Sequence, residues 1–283
     1  MTVPSTSMRG TPVRRAEAQG ERVARTDQFE WLARAGLVAR GVVYAVIGVL
    51  AIKLAVGDGG DTTNQQGALQ TIARQPFGKA LLTLVAIGLA GYALWRLLRA
   101  ALGHGPEGSD DTKDRIAGLV SGIAYASLCA TAIKILAGSG GGGGPSSHPD
   151  KATAGVLGWP GGQVLVVIAG LIFVGVACEQ GFKGVTRKFL EKSKTEQMQP
   201  ETRRVFTAAG VFGHVARAVV FALIGYFLVK AAIDYDPDKA VGLDGALAAL
   251  GKSSYGPAVL GVVAAGLIGF AGYSVLDARY RRV

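Results

Sequence analysis

Six apolar segments, each about 20 residues long, constrain this chain most strongly. A helix of about 20 residues spans the hydrocarbon core of a bilayer, which is about 30 Å thick. Hydrophobic residues make up 49% of the 283 residues and charged residues 18%, a composition more apolar than a soluble domain requires. The sequence therefore predicts an all-α polytopic membrane protein with six transmembrane helices. The segments cover roughly residues 36–56, 79–101, 116–137, 162–182, 209–233 and 257–277.

Lysine and arginine are distributed unevenly between alternate loops. Six of these residues precede residue 36, seven lie between residues 183 and 204, and three follow residue 278. Loops rich in lysine and arginine stay in the cytoplasm. We therefore expect both termini to be cytoplasmic and anionic lipids of that leaflet to be partners. The formal charge of +10 then reflects membrane orientation and not nucleic-acid binding. The opposite loops carry only Arg74, Lys79, Lys151, Lys239 and Lys252.

The odd-numbered segments align with one another without a gap. They read GLVARGVVYAVIGVLAIKLA, AGLVSGIAYASLCATAIKIL and GHVARAVVFALIGYFLVKAA, at residues 36–55, 117–136 and 213–232. A unit that crosses the membrane twice keeps one orientation when repeated. The sequence therefore predicts three parallel two-helix repeats around a pseudo-threefold axis. Three sets of residues coincide in the alignment: Arg40, Ser121 and Arg217; Tyr44, Tyr125 and Phe221; Lys53, Lys134 and Lys230.

The predicted organisation has five parts. A disordered cytoplasmic tail precedes the first repeat, and a basic cytoplasmic loop separates the second repeat from the third. That loop either rests on anionic headgroups or only sets the topology. The parts are the tail (1–30), the three hairpin repeats (31–104, 105–183 and 209–283) and the basic loop (184–208).

The chain resembles the bacterial family known as domain of unknown function 1206 over roughly residues 31–280. The resemblance rests on the spacing of arginine, tyrosine and lysine within tandem two-helix units. The resemblance implies a small bacterial membrane protein, and we expect it in the plasma (inner) membrane. Ser121 departs from the pattern, because the other two repeats have arginine at this position. The family name carries no activity, so the resemblance implies a fold and no reaction.

Three lysines, Lys53, Lys134 and Lys230, lie near one end of the odd-numbered helices. On a helical wheel they are nearly opposite the small residues of their own helices. Membrane helices approach each other through small residues. We therefore expect the lysines to point away from these contacts and to reach the outer headgroups. The alternative is an outer cation ring that binds or admits an anion.

Two arginines, Arg40 and Arg217, adjoin the small faces of their helices and should be partly buried near the cytoplasmic leaflet. A buried guanidinium requires a partner. Glu179 and Asp277 have a similar predicted depth, so ion pairing between repeats is the first hypothesis. An anionic lipid headgroup site or a proton relay is the alternative. Together with Tyr44 and Tyr125, these four residues form the candidate polar site.

No motif for catalysis, a cofactor or a metal emerges from the sequence. The glycine run at 138–145 lacks the Lys-Ser/Thr of a phosphate loop, and we interpret it as a linker. We expect no catalysis by this chain. The favoured function is an integral scaffold or accessory subunit of a larger membrane complex. The second hypothesis is a small transporter or channel for an anion or other solute, and the third is a lipid-binding or lipid-modifying protein.

Overall fold

A computed structural model describes residues 27–57, 63–102, 112–138 and 149–281. The described residues form nine α-helices and contain no β-strand. The predicted tail up to residue 26 and the glycine run from residue 139 lie outside them. The helices are α1 (Asp27–Ala55), α2 (Gln65–Ala73), α3 (Gly78–Leu102), α4 (Thr112–Leu136), α5 (Pro149–Leu157), α6 (Gly162–Thr186), α7 (Pro200–Ile233), α8 (Leu243–Gly251) and α9 (Gly256–Tyr280).

Six of these helices are long and apolar enough to cross a membrane. This confirms the predicted six spans and the all-α class, and identifies a multi-pass membrane protein. Helix α7 starts at Pro200, earlier than the apolar segment, because proline fits the first turn of a helix. The basic loop before it is therefore short and folded, with two 3₁₀ turns at Lys188–Lys192 and Thr195–Gln197.

The three repeats share one construction. In each, a nine-residue helix precedes the second span, which is always 25 residues long. The even-numbered spans begin at Gly78, Gly162 and Gly256. The short helices lie at the face opposite to the start of α1 and the end of α9. We call the face where α1 begins and α9 ends the termini face. The aromatic residues before the even-numbered spans, Phe77, Trp159 and Tyr255, are all exposed.

The six spans follow one another as an incomplete ring. Along it, α4 packs against α3, α3 against α1, α1 against α9, α9 against α7, and α7 against α6. The two ends of this series, α4 and α6, do not pack against each other along their lengths. They belong to the same repeat, so the second hairpin is open where the first and third are closed. We call this opening the seam.

The contacts between successive repeats occur three times at equivalent positions. Gly48 of α1 approaches the backbone of α9, where an added Cβ would lie 3.0 Å from the carbonyl oxygen of Ala264. Gly225 of α7 approaches Gly170 of α6 in the same way, at 2.8 Å. The equivalent α4 residue is Cys129, whose Sγ lies 3.5 Å from the carbonyl oxygen of Ala86. Each contact partner is the ninth residue of its span. Small side chains thus set all three interfaces, while the pseudo-threefold axis itself stays a prediction.

The close contact between the two spans of one repeat forms in the first and the third repeat. A Cβ added to Gly88 would lie 2.9 Å from the Cβ of Ala39, and one added to Gly266 would lie 2.5 Å from the Cβ of Ala216. The equivalent residues of the second repeat are Val120 and Ile172, which are 63% and 60% exposed. Two branched side chains therefore stand where the other repeats have alanine against glycine, and backbones cannot approach as closely there. This substitution explains the seam.

We predict that Gly213→Ala destabilises the protein. A Cβ at Gly213 would lie 2.6 Å from the Cα of Phe270, where rigid backbone cannot yield. Overpacking of this kind costs about 1–3 kcal/mol, so the midpoint of thermal unfolding in detergent should fall. Gly272→Ala is the matched control, because nothing lies within 4 Å of its added Cβ. Equal midpoints for the two variants would contradict the close approach of α7 and α9.

Candidate functional site

Arg40 of α1 lies buried between two neighbouring helices near the termini face. Its Nε donates to the Ser274 hydroxyl at 3.2 Å, and an Nη donates to the Tyr92 hydroxyl at 3.3 Å. The other Nη lies 3.9 Å from a carboxylate oxygen of Asp277. The guanidinium also lies over the ring of Phe270, 5.0 Å from its centroid. Arg40 therefore joins α1, α3 and α9 through charge-assisted hydrogen bonds.

Asp277 of α9 is fully buried and has three partners. Arg281 donates to one of its oxygens at 2.7 Å, and Ser193 donates to the other at 3.0 Å. The backbone N–H of Lys194 donates to the carbonyl oxygen of Tyr280 at 2.7 Å. These bonds hold the loop between α6 and α7 against the end of α9. Ion pairing between repeats is the first hypothesis for Arg40 and Arg217, and the structure places Arg40 and Asp277 3.9 Å apart inside a wider network.

Tyrosine and phenylalanine rings surround the two arginines. Tyr44 packs edge-on against Phe270 with ring centroids 4.9 Å apart. Tyr125 packs in the same way against Tyr92 at 4.6 Å. Each aromatic pair contributes about 0.5–1.5 kcal/mol beyond burial. We use the name inner arginine cluster for Arg40, Arg217, Tyr44, Tyr92, Tyr125 and Phe270.

Arg217 of α7 has a different environment from Arg40. Its guanidinium lies over three rings, with centroids at 4.4 Å for Phe270, 5.2 Å for Phe221 and 5.5 Å for Tyr44. Its side chain forms no hydrogen bond or ion pair with any described residue, and its Nε is buried without a partner. A half-buried cation held only by aromatic faces can still bind an anion.

Local sequence explains why Arg217 lacks a carboxylate. Counted from the start of each even-numbered span, the residues equivalent to Ser274 and Asp277 in α6 are Gln180 and Lys183. The Gln180 side chain lies 2.7 Å from Nδ1 of His214, so it is engaged elsewhere. Lys183 carries a positive charge at the position where Asp277 carries a negative charge in the interface between α1 and α9. The second repeat therefore supplies no counterion to Arg217.

Glu179 does not join the cluster. Its carboxylate is exposed and pairs with Lys183 at 2.5 Å, one turn along the same helix. The predicted pairing of Glu179 with an arginine of another repeat is wrong, because the side chain projects from the outer side of α6. The other predicted residues, Arg40, Arg217, Tyr44, Tyr125 and Asp277, meet near the termini face as described above.

The structure also adds residues that the sequence interpretation missed. Tyr92 accepts hydrogen bonds from Arg40 and from Arg96, whose Nη2 lies 2.9 Å from the hydroxyl. Phe270 occupies the position of Tyr92 in the third repeat, fifteen residues into its span. Aligning the even-numbered spans on their first glycines would have revealed this pair.

The three lysines of the predicted outer cation ring, Lys53, Lys134 and Lys230, are all exposed. Lys230 lies over the exposed ring of Tyr226, 5.9 Å from its centroid. Small residues of the same helices make the contacts between spans. The lysines thus lie off the packed faces, and a role in anion binding stays a prediction. No group of His, Cys, Asp and Glu among the described residues could hold a metal ion.

Comparison with known proteins places the chain in a family. A family model described as Domain of Unknown Function (DUF1206) matches residues 35–103, 116–187 and 212–281, one match for each repeat. The chain belongs to DUF1206. A relative, Uncharacterized protein YxxB of Bacillus subtilis (strain 168), is 36% identical over 253 residues, which are 88% of this chain and 90% of the relative. No solved structure matches the chain. The resemblance noted in the sequence is thereby confirmed for this DUF1206 protein.

We predict that Arg40→Gln lowers the stability of the DUF1206 protein. The change removes hydrogen bonds between three helices and leaves buried partners unsatisfied, at a cost of about 1–3 kcal/mol. The midpoint of thermal unfolding in detergent should therefore fall. Lys183→Gln is the control, since it breaks only an exposed pair worth about 0–1 kcal/mol. Unchanged stability of the Arg40 variant would show that the network is not structural.

Proposed function

We propose that this protein is a membrane-embedded accessory subunit that receives a transmembrane helix of another protein in the seam between α4 and α6. The observation that carries the proposal is the open second repeat. Its residues Val120 and Ile172 are exposed where the other two repeats bring their helices together. An additional helix in the seam would cover these side chains and complete the ring.

The inner arginine cluster supports a particular kind of partner helix. Arg217 points from α7 toward Tyr44 and Phe270, on the inner side of the ring. A carboxylate on the inserted helix, placed near the termini face, would supply the counterion that Gln180 and Lys183 do not. Pairing of this kind selects a partner because an uncharged helix would leave the guanidinium unpaired.

The interior of the ring gives less support to a transporter or channel. At the level of the cluster, the rings of Tyr44, Phe270, Tyr92 and Tyr125 pack against one another. Arg40 fills the space between Tyr92 and Phe270. A path for a solute along the ring axis would have to displace this packing, whereas a helix in the seam would leave it intact.

The proposal predicts crosslinking to one defined protein at the inner side of α4. Leu128 and Ile135 pack against the core, and Ala124 lies on their side of the helix. A photoreactive benzoylphenylalanine at Ala124 should therefore capture the partner in native membranes. Ala126 is the matched control, since it is also exposed and lies about 200° away around the helix.

Arg217→Gln should reduce the Ala124 crosslink at least about tenfold, because loss of one member of a buried charge pair costs about 2–5 kcal/mol. Mass spectrometry of the crosslinked band identifies the partner. Equal bands from the two alanine positions would contradict the seam as the docking site. Adducts of lipid alone at Ala124 would instead favour the lipid-binding hypothesis.

A further inference from the structure

A groove opens at the termini face, on the side of α7 that faces away from the ring interior. It has a volume of about 670 Å³, within the range of small-molecule sites. The 3₁₀ segment before α7 forms one wall, and the first three turns of α7 form the other. The lining includes Arg187, Arg203, Arg204, Met198, Val211 and Phe212.

Three arginines line this groove. Arg203 and Arg204 come from the first turns of α7, and Arg187 follows the last turn of α6. None of the three side chains forms a hydrogen bond or ion pair with a described residue. Glu196 is the one carboxylate of the lining, so positive charge predominates. Unpaired arginines in this arrangement fit a phosphate, which accepts paired hydrogen bonds from guanidinium groups.

The backbone holds Arg187 in an unusual conformation. Its φ of 59° and ψ of 22° lie in the left-handed region, which non-glycine residues rarely adopt. Glycine would fit this turn without strain, so the turn itself gives no reason for arginine. Strain at a non-glycine residue is often retained where the side chain has a function.

Beyond Arg203 and Arg204, the α7 wall of the groove becomes apolar and continues along the lipid-facing side of α7. Phe212 is 65% exposed, and Val215 and Val219 follow it on the same side of the helix, also exposed. An occupant of the groove therefore meets arginines at the membrane surface and hydrocarbon-facing side chains immediately below. This arrangement fits a molecule with an anionic head and an apolar tail.

We propose that the groove binds an anionic phospholipid of the leaflet at the termini face, with its phosphate held by Arg187, Arg203 and Arg204. Its acyl chains lie along Phe212, Val215 and Val219. A lipid with net negative charge is preferred over a zwitterionic one, because three arginines face a single carboxylate. The groove is separate from the seam, so the lipid site does not depend on a protein partner.

The test is native mass spectrometry of the purified full chain in detergent, with equimolar phosphatidylglycerol and phosphatidylcholine added. The wild type should retain phosphatidylglycerol preferentially. The double variant Arg203→Gln/Arg204→Gln should reduce the retained fraction at least about tenfold, since one hydrogen bond from a guanidinium to a phosphate contributes roughly tenfold or more. The double variant Lys188→Gln/Arg279→Gln removes the same charge from the same face outside the groove and should change retention less than about twofold.

Arg187→Gly provides an independent test. It removes one cation and relieves the left-handed backbone, so thermal stability should be unchanged or higher while phosphatidylglycerol retention falls. A purely structural role for Arg187 would lower stability and leave retention unchanged. Equal loss in both double variants, or no preference for phosphatidylglycerol in the wild type, would overturn the proposal. Recovery of a bound protein in the groove, in place of lipid, would also overturn it.

Discussion

Close approach between helix backbones is the constraint on which this structure depends. Helices in a bilayer gain little from burying apolar surface against one another, so they associate where small side chains permit dense packing. In this chain glycine, alanine and cysteine occupy equivalent positions at the three interfaces between repeats. The repeated sequence therefore produces a repeated interface. Five of the six contacts between neighbouring spans of the ring form.

The sixth contact, between α4 and α6, does not form along these helices. Sequence divergence of the second repeat explains this opening and also explains why Arg217 has no counterion. The second repeat differs at its internal contact, where Val120 and Ile172 replace alanine and glycine. The same repeat has Gln180 and Lys183 where the third has Ser274 and Asp277. The first difference opens the seam and the second leaves Arg217 without a counterion. Divergence of one repeat thus produces both the open seam and the unpaired charge of Arg217.

Much of the fold was predictable from the sequence. Segment length and hydropathy gave the six spans, and the gapless alignment of odd-numbered spans gave the repeats and the family. The common depth of Arg40, Arg217, Glu179 and Asp277 predicted ion pairing between repeats, but it did not specify which residues pair. Depth alone could not place Glu179, because the rotation of α6 about its axis decides whether its side chain faces a neighbour or the exterior.

Other features required the three-dimensional structure. The groove depends on how the loop before α7 folds against α9 through Ser193 and Asp277, and no local pattern specifies that contact. The seam left a signal in the sequence, since branched residues replace small ones in the second repeat. That signal can be recognised only when the even-numbered spans are aligned by their first glycines. It also requires knowing which residues of the first and third repeats are in contact.

The most direct test of the account is disulfide crosslinking at the three equivalent positions within the repeats. Cys129 and Cys178 are first replaced by alanine. Cysteine pairs are then introduced at 39 and 88, at 120 and 172, and at 216 and 266, and oxidised in native membranes. The first and third pairs should crosslink efficiently, because an added Cβ at residues 88 and 266 lies within 3 Å of its partner and disulfides require neighbouring Cβ atoms. The pair at 120 and 172 should not crosslink. Efficient crosslinking of all three pairs would show a closed ring and contradict the seam.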